Sequence, residues 1–559
     1  MTSRLPRAHP RLLLTAAGAA VALAAADTYV VVLALTDMMA GVGLGLDNLQ
    51  KATPIISGFL LGYIAVLPLI GRLADLVNRS RVLLICMTIF IIGSGVTALA
   101  TDLNTLVAGR VVQGVGGGGL VPATLALVAD LWPADRRGLP LGVVGAVQEL
   151  GSVLGPVIGA MILAIADWRA IFWANVALGV ILAVALWAIS RHDVGTVKPR
   201  PIPVIFAVLA IALWWLALAA PRALATDVTL GLPFVPFGDH TARLMTPIGV
   251  AAIVVSLLAL VLSWSTWWTP LRHADLPGAL LLGGALGCLV LTFAASDPET
   301  EVVGPLGYAL LPVGAVLAAL YLWRHRVAEE PLVPRGTVRG RTPWALIVSL
   351  LVGVALVAVI VDVPLMARLT LEDGTQIAAA MVLVRFLVAV PVGALVGGWL
   401  LRRLGDGAVA GSGLALTAAG LVLMSRWGEG SLEEATSTVI LVLVGFGVGL
   451  ALAPVNNAAL ADSPQTAHGT ASSLVVVARM IGMVVGLALL TGIGLHRYYQ
   501  AVDALPPELR TDGQALLDAA LLQVHTVFLG AAGAAVVGAL IAFALLGVRR
   551  RSDAVAHDA

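Results

Sequence analysis

The stretch "VQELGSVLGPVIGAMILAI", residues 147–165, decides how the rest of the chain is read. It is apolar enough to lie in hydrocarbon, yet it holds one carboxylate, Glu149, and glycines at 151, 155 and 159. Residues four apart stack on one face of a helix, so Gly151, Gly155 and Gly159 make a smooth stripe on which another helix can lie close. Pro156 removes one backbone hydrogen bond beside that stripe and permits a bend. Such a seam serves any pair of membrane helices, or it is a bendable joint in a bundle that rocks. Glu149 points away from the stripe, about 200° around a helix that turns about 100° per residue. At the bilayer centre an ionised carboxylate costs about 3 kcal/mol. Low dielectric favours the protonated form of a carboxyl group and a nearby cation favours the ionised one. An acid that alternates between those surroundings carries protons or locks a conformation; one with a permanent partner only fixes packing.

The flanking sequence is of the same kind. Of 559 residues, 59% are hydrophobic and 12% charged, against about a quarter charged in soluble domains. Apolar runs long enough to cross a bilayer recur from end to end, which makes this an all-α polytopic membrane protein. Spans are expected near 12–36, 53–71, 81–100, 105–130, 138–164, 170–190, 202–221, 245–268, 276–295 and 305–323. Six more are expected near 343–367, 377–401, 409–425, 438–461, 470–494 and 524–548. The first is read as a retained helix, not a cleaved signal, because its apolar run continues past Asp27. About sixteen spans, an even number, put both termini on one side. The segments on that side hold 22 of the 33 Lys and Arg residues, the opposite loops hold 8, and Arg110, Arg385 and Arg479 fall inside spans. Positive charge stays inside, so both termini are expected in the cytoplasm and the protein in the cell membrane.

Several function classes drop out. A net charge of +1 gives no reason to expect nucleic acid. Cys86 and Cys288 both sit in apolar runs, so no disulfide framework is expected. "GVGGGG" at 114–119 lacks the Gly-Lys-Ser/Thr of a phosphate loop. No zinc motif occurs either, so neither metal nor cofactor is expected, and energy must come from an ion gradient. His468 and His496 read as loop residues. The loops 221–244 and 495–523 read as external connectors, the second with an amphipathic helix near 507–523.

The chain also echoes itself. "GRLADLVNRSR" (71–81) follows the second span, and "GWLLRRLGDGA" (398–408) follows the second of the last six. Gly71 aligns with Gly398, and Asp75 falls opposite Arg402. Two six-helix halves, 1–195 and 336–559, are therefore expected around an inserted segment, 196–335, of about four helices. Transporters built by duplication place their site at mid-membrane between the halves.

These residues resemble the major facilitator superfamily, in its drug:proton antiporter branch with extra central helices. The loop motif is present as Gly71, Leu73, Ala74, Asp75 and Arg79, with Leu76 in place of an arginine and Asn78 in place of a glycine. The fourth-helix motif is present as Arg110, Gln113 and Gly114, and the antiporter motif as Gly151, Gly155, Pro156 and Gly159. "DWRAIFWANV" (167–176) is similar to the family's start of helix six. "DTYVV" (27–31), "QELGSVLGP" (148–156), "VDVPL" (361–365) and "VVVARMIGM" (475–483) resemble a narrower family, mycobacterial triacylglyceride exporters that work with a periplasmic lipoprotein and are linked to drug efflux. The spans at 202–221 and 245–268 are additions to that family's usual plan.

The resemblance implies a monomeric, non-enzymatic exporter driven by the proton-motive force. Its cargo would be triacylglyceride-like lipids or hydrophobic drugs, and its partners protons, membrane lipids and a periplasmic lipoprotein. A multidrug antiporter without a lipid role, and a membrane enzyme or receptor for lipid precursors, are the alternatives. In the family's arrangement the first and fifth helices face the second half. That implies Asp27 and Glu149 as partners of Arg479, and these three as the proton-coupling lock. Asp75 is expected to meet the helix start at Gly469–Ser473 and, with Gly71 and Arg79, to latch the cytoplasmic side. Arg110 and Gln113 are expected to organise the first half. Arg385 either lines the cavity or reaches water, and Asp362 is expected as a solvated acid at the outer end of its span.

Overall fold

The computed structural model describes residues 10–44, 49–194, 201–221, 224, 226, 231–237, 243–294, 305–371, 376–510 and 512–547. Long helices dominate, and no strand occurs among the described residues. The first six are α1 (Pro10–Gly41), α2 (Leu49–Leu76), α3 (Arg79–Leu99), α4 (Leu103–Leu131), α5 (Gly138–Leu163) and α6 (Arg169–Val194). Then come α7 (Pro201–Ala219), α8 (Pro247–Leu262), α9 (Trp264–His273), α10 (Leu276–Ala294) and α11 (Pro305–Val327). The last six are α12 (Thr342–Thr370), α13 (Gln376–Leu404), α14 (Asp406–Met424), α15 (Ala435–Ala461), α16 (His468–Ala504) and α17 (Gly513–Ile541). Among the described residues fifteen are long and apolar enough to cross a membrane, and α8 is a shorter apolar helix.

Caps fix the boundaries. Asn78, which replaces the motif's glycine, accepts from the Ser80 and Arg81 amides and starts α3. Asp102 accepts from the Thr105 amide and starts α4. Each satisfies amide donors that a helix start leaves without partners.

Two expected elements differ. The span expected at 245–268 is two helices, because α8 stops at Leu262 and the chain turns at Ser263 into α9. The segment "WSTWW" interleaves indoles with hydroxyls, and such side chains seek the membrane–water boundary more than hydrocarbon. Trp264 and Trp268 stack there with ring centroids 4.4 Å apart. The connector expected at 495–523 is mostly helix, since α16 runs to Ala504 and α17 begins at Gly513. Nothing between Leu495 and Ala504 breaks a helix until Pro506 and Pro507. At 37 residues, α16 is about 55 Å long, well beyond the ~30 Å hydrocarbon core.

The first six and last six helices repeat one packing scheme. α1 lies on α5 as α12 lies on α16; α2 on α4 as α13 on α15; α3 on α4 and α6 as α14 on α15 and α17. The two sets meet mainly where α5 touches α13 and α2 touches α16. Between α5 and α13 the backbones come together, with Gly138 against Gly398 and Gly142 against Ala394. The stripe of Gly151 and Gly155 does a different job. It seats α5 on the Ala22 and Ala26 carbonyls of α1, inside the first set. Of the inserted helices, α7 pairs with α8 and α10 with α11, and α10 also lies along α2 and reaches α16. Asp275, in the left-handed region at φ 54°, ties this insert together. Its carboxylate accepts from Arg324 Nε at 2.7 Å, Gly278 N at 3.2 Å and Leu332 N at 3.2 Å.

A side chain at Gly155 would strike the Ala26 carbonyl, whereas Gly533 faces open space. Gly155→Val should therefore lose about 1–3 kcal/mol to overpacking. Thermal unfolding of the detergent-solubilised protein should show a lowered midpoint for Gly155→Val and little change for Gly533→Val.

Candidate functional site

Glu149 and Arg479 stand at the middle of the molecule. Arg479 Nη1 lies 3.6 Å from Glu149 Oε1, joining α5 of the first set to α16 of the second. Both side chains are buried, at 4% and 7% exposure for the two residues. The gap is that of an ion pair without a short hydrogen bond. Gln148 Nε2 approaches the same carboxylate oxygen at 3.5 Å. Leu150, one residue on, faces outward.

Above the pair is a chamber of about 180 Å³, walled by α1, α2, α4, α5, α12 and α16. Its lining is mainly apolar: Val21, Ala24, Phe59, Leu356 and Met483 among others. Glu149, Arg479, Tyr63 and Thr28 are among its polar members. Below Arg479, toward the end of the bundle that holds Asp75, is a much smaller cavity bordered by Gln148, Ser349 and Asn456. The ion pair thus separates two spaces.

Asp27 is not a partner of Arg479, contrary to expectation. Its Oδ2 accepts from Arg110 Nη1 at 2.6 Å and its Oδ1 from Asn175 Nδ2 at 2.6 Å. Arg110 also donates to Gln113 Oε1 at 2.6 Å and lies over the Phe59 ring. Gln113 in turn donates to Ser94 Oγ at 2.9 Å. α1, α4 and α6 saturate this carboxylate within one half, so it has no need of a cation across the midline.

At the opposite end of α2, Asp75 accepts from Gly469 N at 2.6 Å, Thr470 N at 2.9 Å and Thr470 Oγ1 at 2.7 Å. Its side chain is fully buried. It caps the first turn of α16, where amide donors and the helix dipole both favour an anion. Arg79 sits 3.9 Å from Asp75 and binds Asp130 and the Ala126 carbonyl at the end of α4. Gly71 is closed over by Ser473 and the Gly469 carbonyl, so no side chain fits there.

Arg385 does not line the chamber. It donates to the Leu432 carbonyl at 3.1 Å and Thr438 Oγ1 at 3.0 Å, clamping the turn between α14 and α15. Asp362 is not solvated: it is 1% exposed and its Oδ2 has no hydrogen-bond partner. It stands on the face of α12 that packs inward, with Val363 and Met366, while Val361 faces out. His468, expected in a loop, is the buried first residue of α16. Among the described residues no group of His, Cys, Asp and Glu could hold a metal.

One constellation escaped the sequence reading. Arg137, at the start of α5, donates to Asn457 Oδ1 at 2.8 Å. Asn457 donates to Asp406 Oδ1 at 2.7 Å, and Asp406 Oδ2 accepts from Arg341 at 2.8 Å. Arg341 also pairs with Asp462 at 3.0 Å. Burial draws the Arg137 guanidinium below its usual value, and Asp406 opposes that. The only signal in the sequence was Asp406 in the repeated loop, and its partners lie far away in the chain.

Asp75→Ala removes all three acceptor contacts to α16. In a background with Cys86 and Cys288 replaced by serine, a cysteine at the buried Ser472 position should become several-fold more reactive to maleimide in the Asp75→Ala protein. Unchanged labelling would mean that Asp75 does not hold this end shut.

The sequence profile of the Major Facilitator Superfamily matches residues 17–310 and 282–487. A triacylglyceride transporter of Mycolicibacterium hassiacum is 36% identical, over 98% of this chain and 94% of its own. One of Mycobacteroides abscessus is 37% identical over 90% of this chain and 85% of its own. One of Mycobacterium tuberculosis is 36% identical over 90% of this chain and 86% of its own. Among solved structures, the human organic anion transporter MFSD10 superposes with a TM-score of 0.54 at 15% identity, covering 96% of this chain and 100% of that one. The proton:xylose symporter XylE gives 0.54 at 12% identity, over 95% and 94%. At such identities these two likenesses concern the fold alone.

Proposed function

The chain belongs to the Major Facilitator Superfamily, and from that premise we propose a proton-driven exporter of triacylglyceride-type lipids or other apolar molecules, working by alternating access. The observation that carries this reading is the Glu149–Arg479 pair, which bridges the two halves on the floor of an apolar chamber. At an effective dielectric near 20, two charges this close attract by about 4 kcal/mol before desolvation is counted. Swinging a two-state equilibrium from 1:99 to 99:1 takes about 5.5 kcal/mol. Making or breaking the pair is therefore of the right order to switch the bundle.

The cycle follows from charge. The Lys and Arg bias assigns the Asp75 end to the cytoplasm. With Glu149 ionised and Asp75 capping α16, the halves are held together at that end and the chamber lies on the outer side. A proton arriving through the chamber neutralises Glu149 and frees Arg479. The halves then rock, cargo enters from the inner side, and loss of the proton to the cytoplasm restores the pair. Asp27 and Arg110, bonded within one half, keep their contacts throughout.

The relatives' names favour lipid as cargo, and an apolar chamber suits acyl chains. Export of drugs without a lipid role uses the same residues and is the second reading. A periplasmic lipoprotein that accepts the lipid, a monomeric working unit, and the division into halves at 1–195 and 336–559 around 196–335 belong to the same proposal.

Proteoliposomes under an imposed proton gradient provide the test. Labelled triacylglyceride should move across the bilayer chemically unchanged, and Glu149→Gln should abolish that movement at normal membrane insertion. Gradient-driven export at the wild-type rate by Glu149→Gln would remove the pair from the mechanism. Movement of drugs alone would favour the second reading, and a chemically altered lipid an enzyme.

A further inference from the structure

Asp362 lies on α12, the helix that corresponds in the second half to α1, which carries Asp27 in the first. The repeated packing matches α1 with α12, α4 with α15 and α6 with α17. The two acids are not at one height: Gly151 and Gly155 meet Ala22 and Ala26 of α1, and Gly482 and Gly486 meet Leu350 and Val354 of α12, so Asp362 stands about two turns beyond the position that matches Asp27. Both residues are 1% exposed. Their surroundings are opposite. Asp27 has Arg110 from α4 and Asn175 from α6 on its two oxygens. The counterpart of α4 is α15, which has no charged residue along its length. Asp362 Oδ2 is buried with no hydrogen-bond partner.

The charged and titratable groups on the helices packed against α12 are committed elsewhere or lie near helix ends. Arg385 of α13 binds the Leu432 carbonyl and Thr438. On α16, Arg479 faces Glu149, while His496, Arg497 and Asp503 are exposed and His496 bonds Gln500. On α17, His525 binds the Trp427 carbonyl and Asp518 lies near the start. Arg368, on α12 itself, is exposed. A bare carboxylate among apolar side chains costs far more than the neutral acid.

We propose that Asp362 is a second proton site: a neutral carboxylic acid in this state, which gives up its proton when rocking brings water or a cation to α12. Pro364, two residues on, lacks the N–H that would bond the Ile360 carbonyl, so α12 yields most easily beside the acid. The second site rests on the proton-driven reading of the Glu149–Arg479 pair.

Infrared spectroscopy of the full chain in lipid at neutral pH tests it. A protonated-carboxyl carbonyl band should shift when aspartate is labelled with carbon-13. It should survive Glu149→Gln and be lost in Asp362→Asn. Because the isotope shift is read on the wild-type chain, it does not depend on the variant folding. In proteoliposomes, Asp362→Asn should move fewer protons per cargo molecule than wild type. Absence of an aspartate band would overturn the proposal. So would a band lost in Asp362→Asn with an unchanged proton count, since the acid would then be purely structural. A wild-type protein that exports cargo without moving protons would instead overturn the proton-driven reading itself.

Discussion

A charge surrounded by hydrocarbon must be matched, and how each one is matched here sorts the residues by what they can do. Glu149 and Arg479 meet across the boundary between the two halves, so any relative motion of the halves changes their energy. Asp27 and Arg110 meet inside one half and are indifferent to that motion. Asp75 spends its charge on the amides that open α16, which places it across the boundary as well, at one end of the bundle. Cross-boundary contacts are the ones that can distinguish conformations, and in the proposed function the Glu149–Arg479 pair is the one that exchanges a proton.

Close backbone contact makes those charges meet. Gly138 and Gly142 let α5 settle on α13, and Gly151 and Gly155 let it settle on α1. Between these two contacts α5 holds Glu149 at the chamber floor. Gly71 does the same for α2 against α16, placing Asp75 within reach of the Gly469 and Thr470 amides. The second ionic chain, from Arg137 through Asn457 and Asp406 to Arg341 and Asp462, ties the start of α5 to the other half at the same end. The Asp75 end is thus held on both sides of the bundle.

Much of this was legible in the sequence. Apolar runs placed the long helices in their order along the chain, since a span's length and polarity are local properties, but they missed several ends, those of α16 and α17 by about three turns. The repeated loop and the spaced glycines located Asp75, Gly71 and the α5 stripe, and Glu149 stood out as an acid in an apolar run. What was illegible depended on azimuth. Nothing in the chain says which way Asp27 faces across α1, and so its bonds to Arg110 and Asn175 came only with the structure. Asp362 lies toward the outer end of its span, but it stands on the inward face of α12 and is buried there, which is again a matter of azimuth. The break before the indole-rich α9 and the extension of α16 were missed because hydropathy alone distinguishes neither an interfacial turn nor a helix that outruns the bilayer.

The measurement that bears most directly on the central claim is a double-mutant cycle on the Glu149–Arg479 pair. The proportions of the two end states would be read by spin-label distances in lipid for wild type, Glu149→Gln, Arg479→Gln and the double variant. If the pair sets the switch, each single variant shifts the balance and the double adds little more, giving a coupling of about 1 kcal/mol or greater. Shifts that simply add would contradict the account.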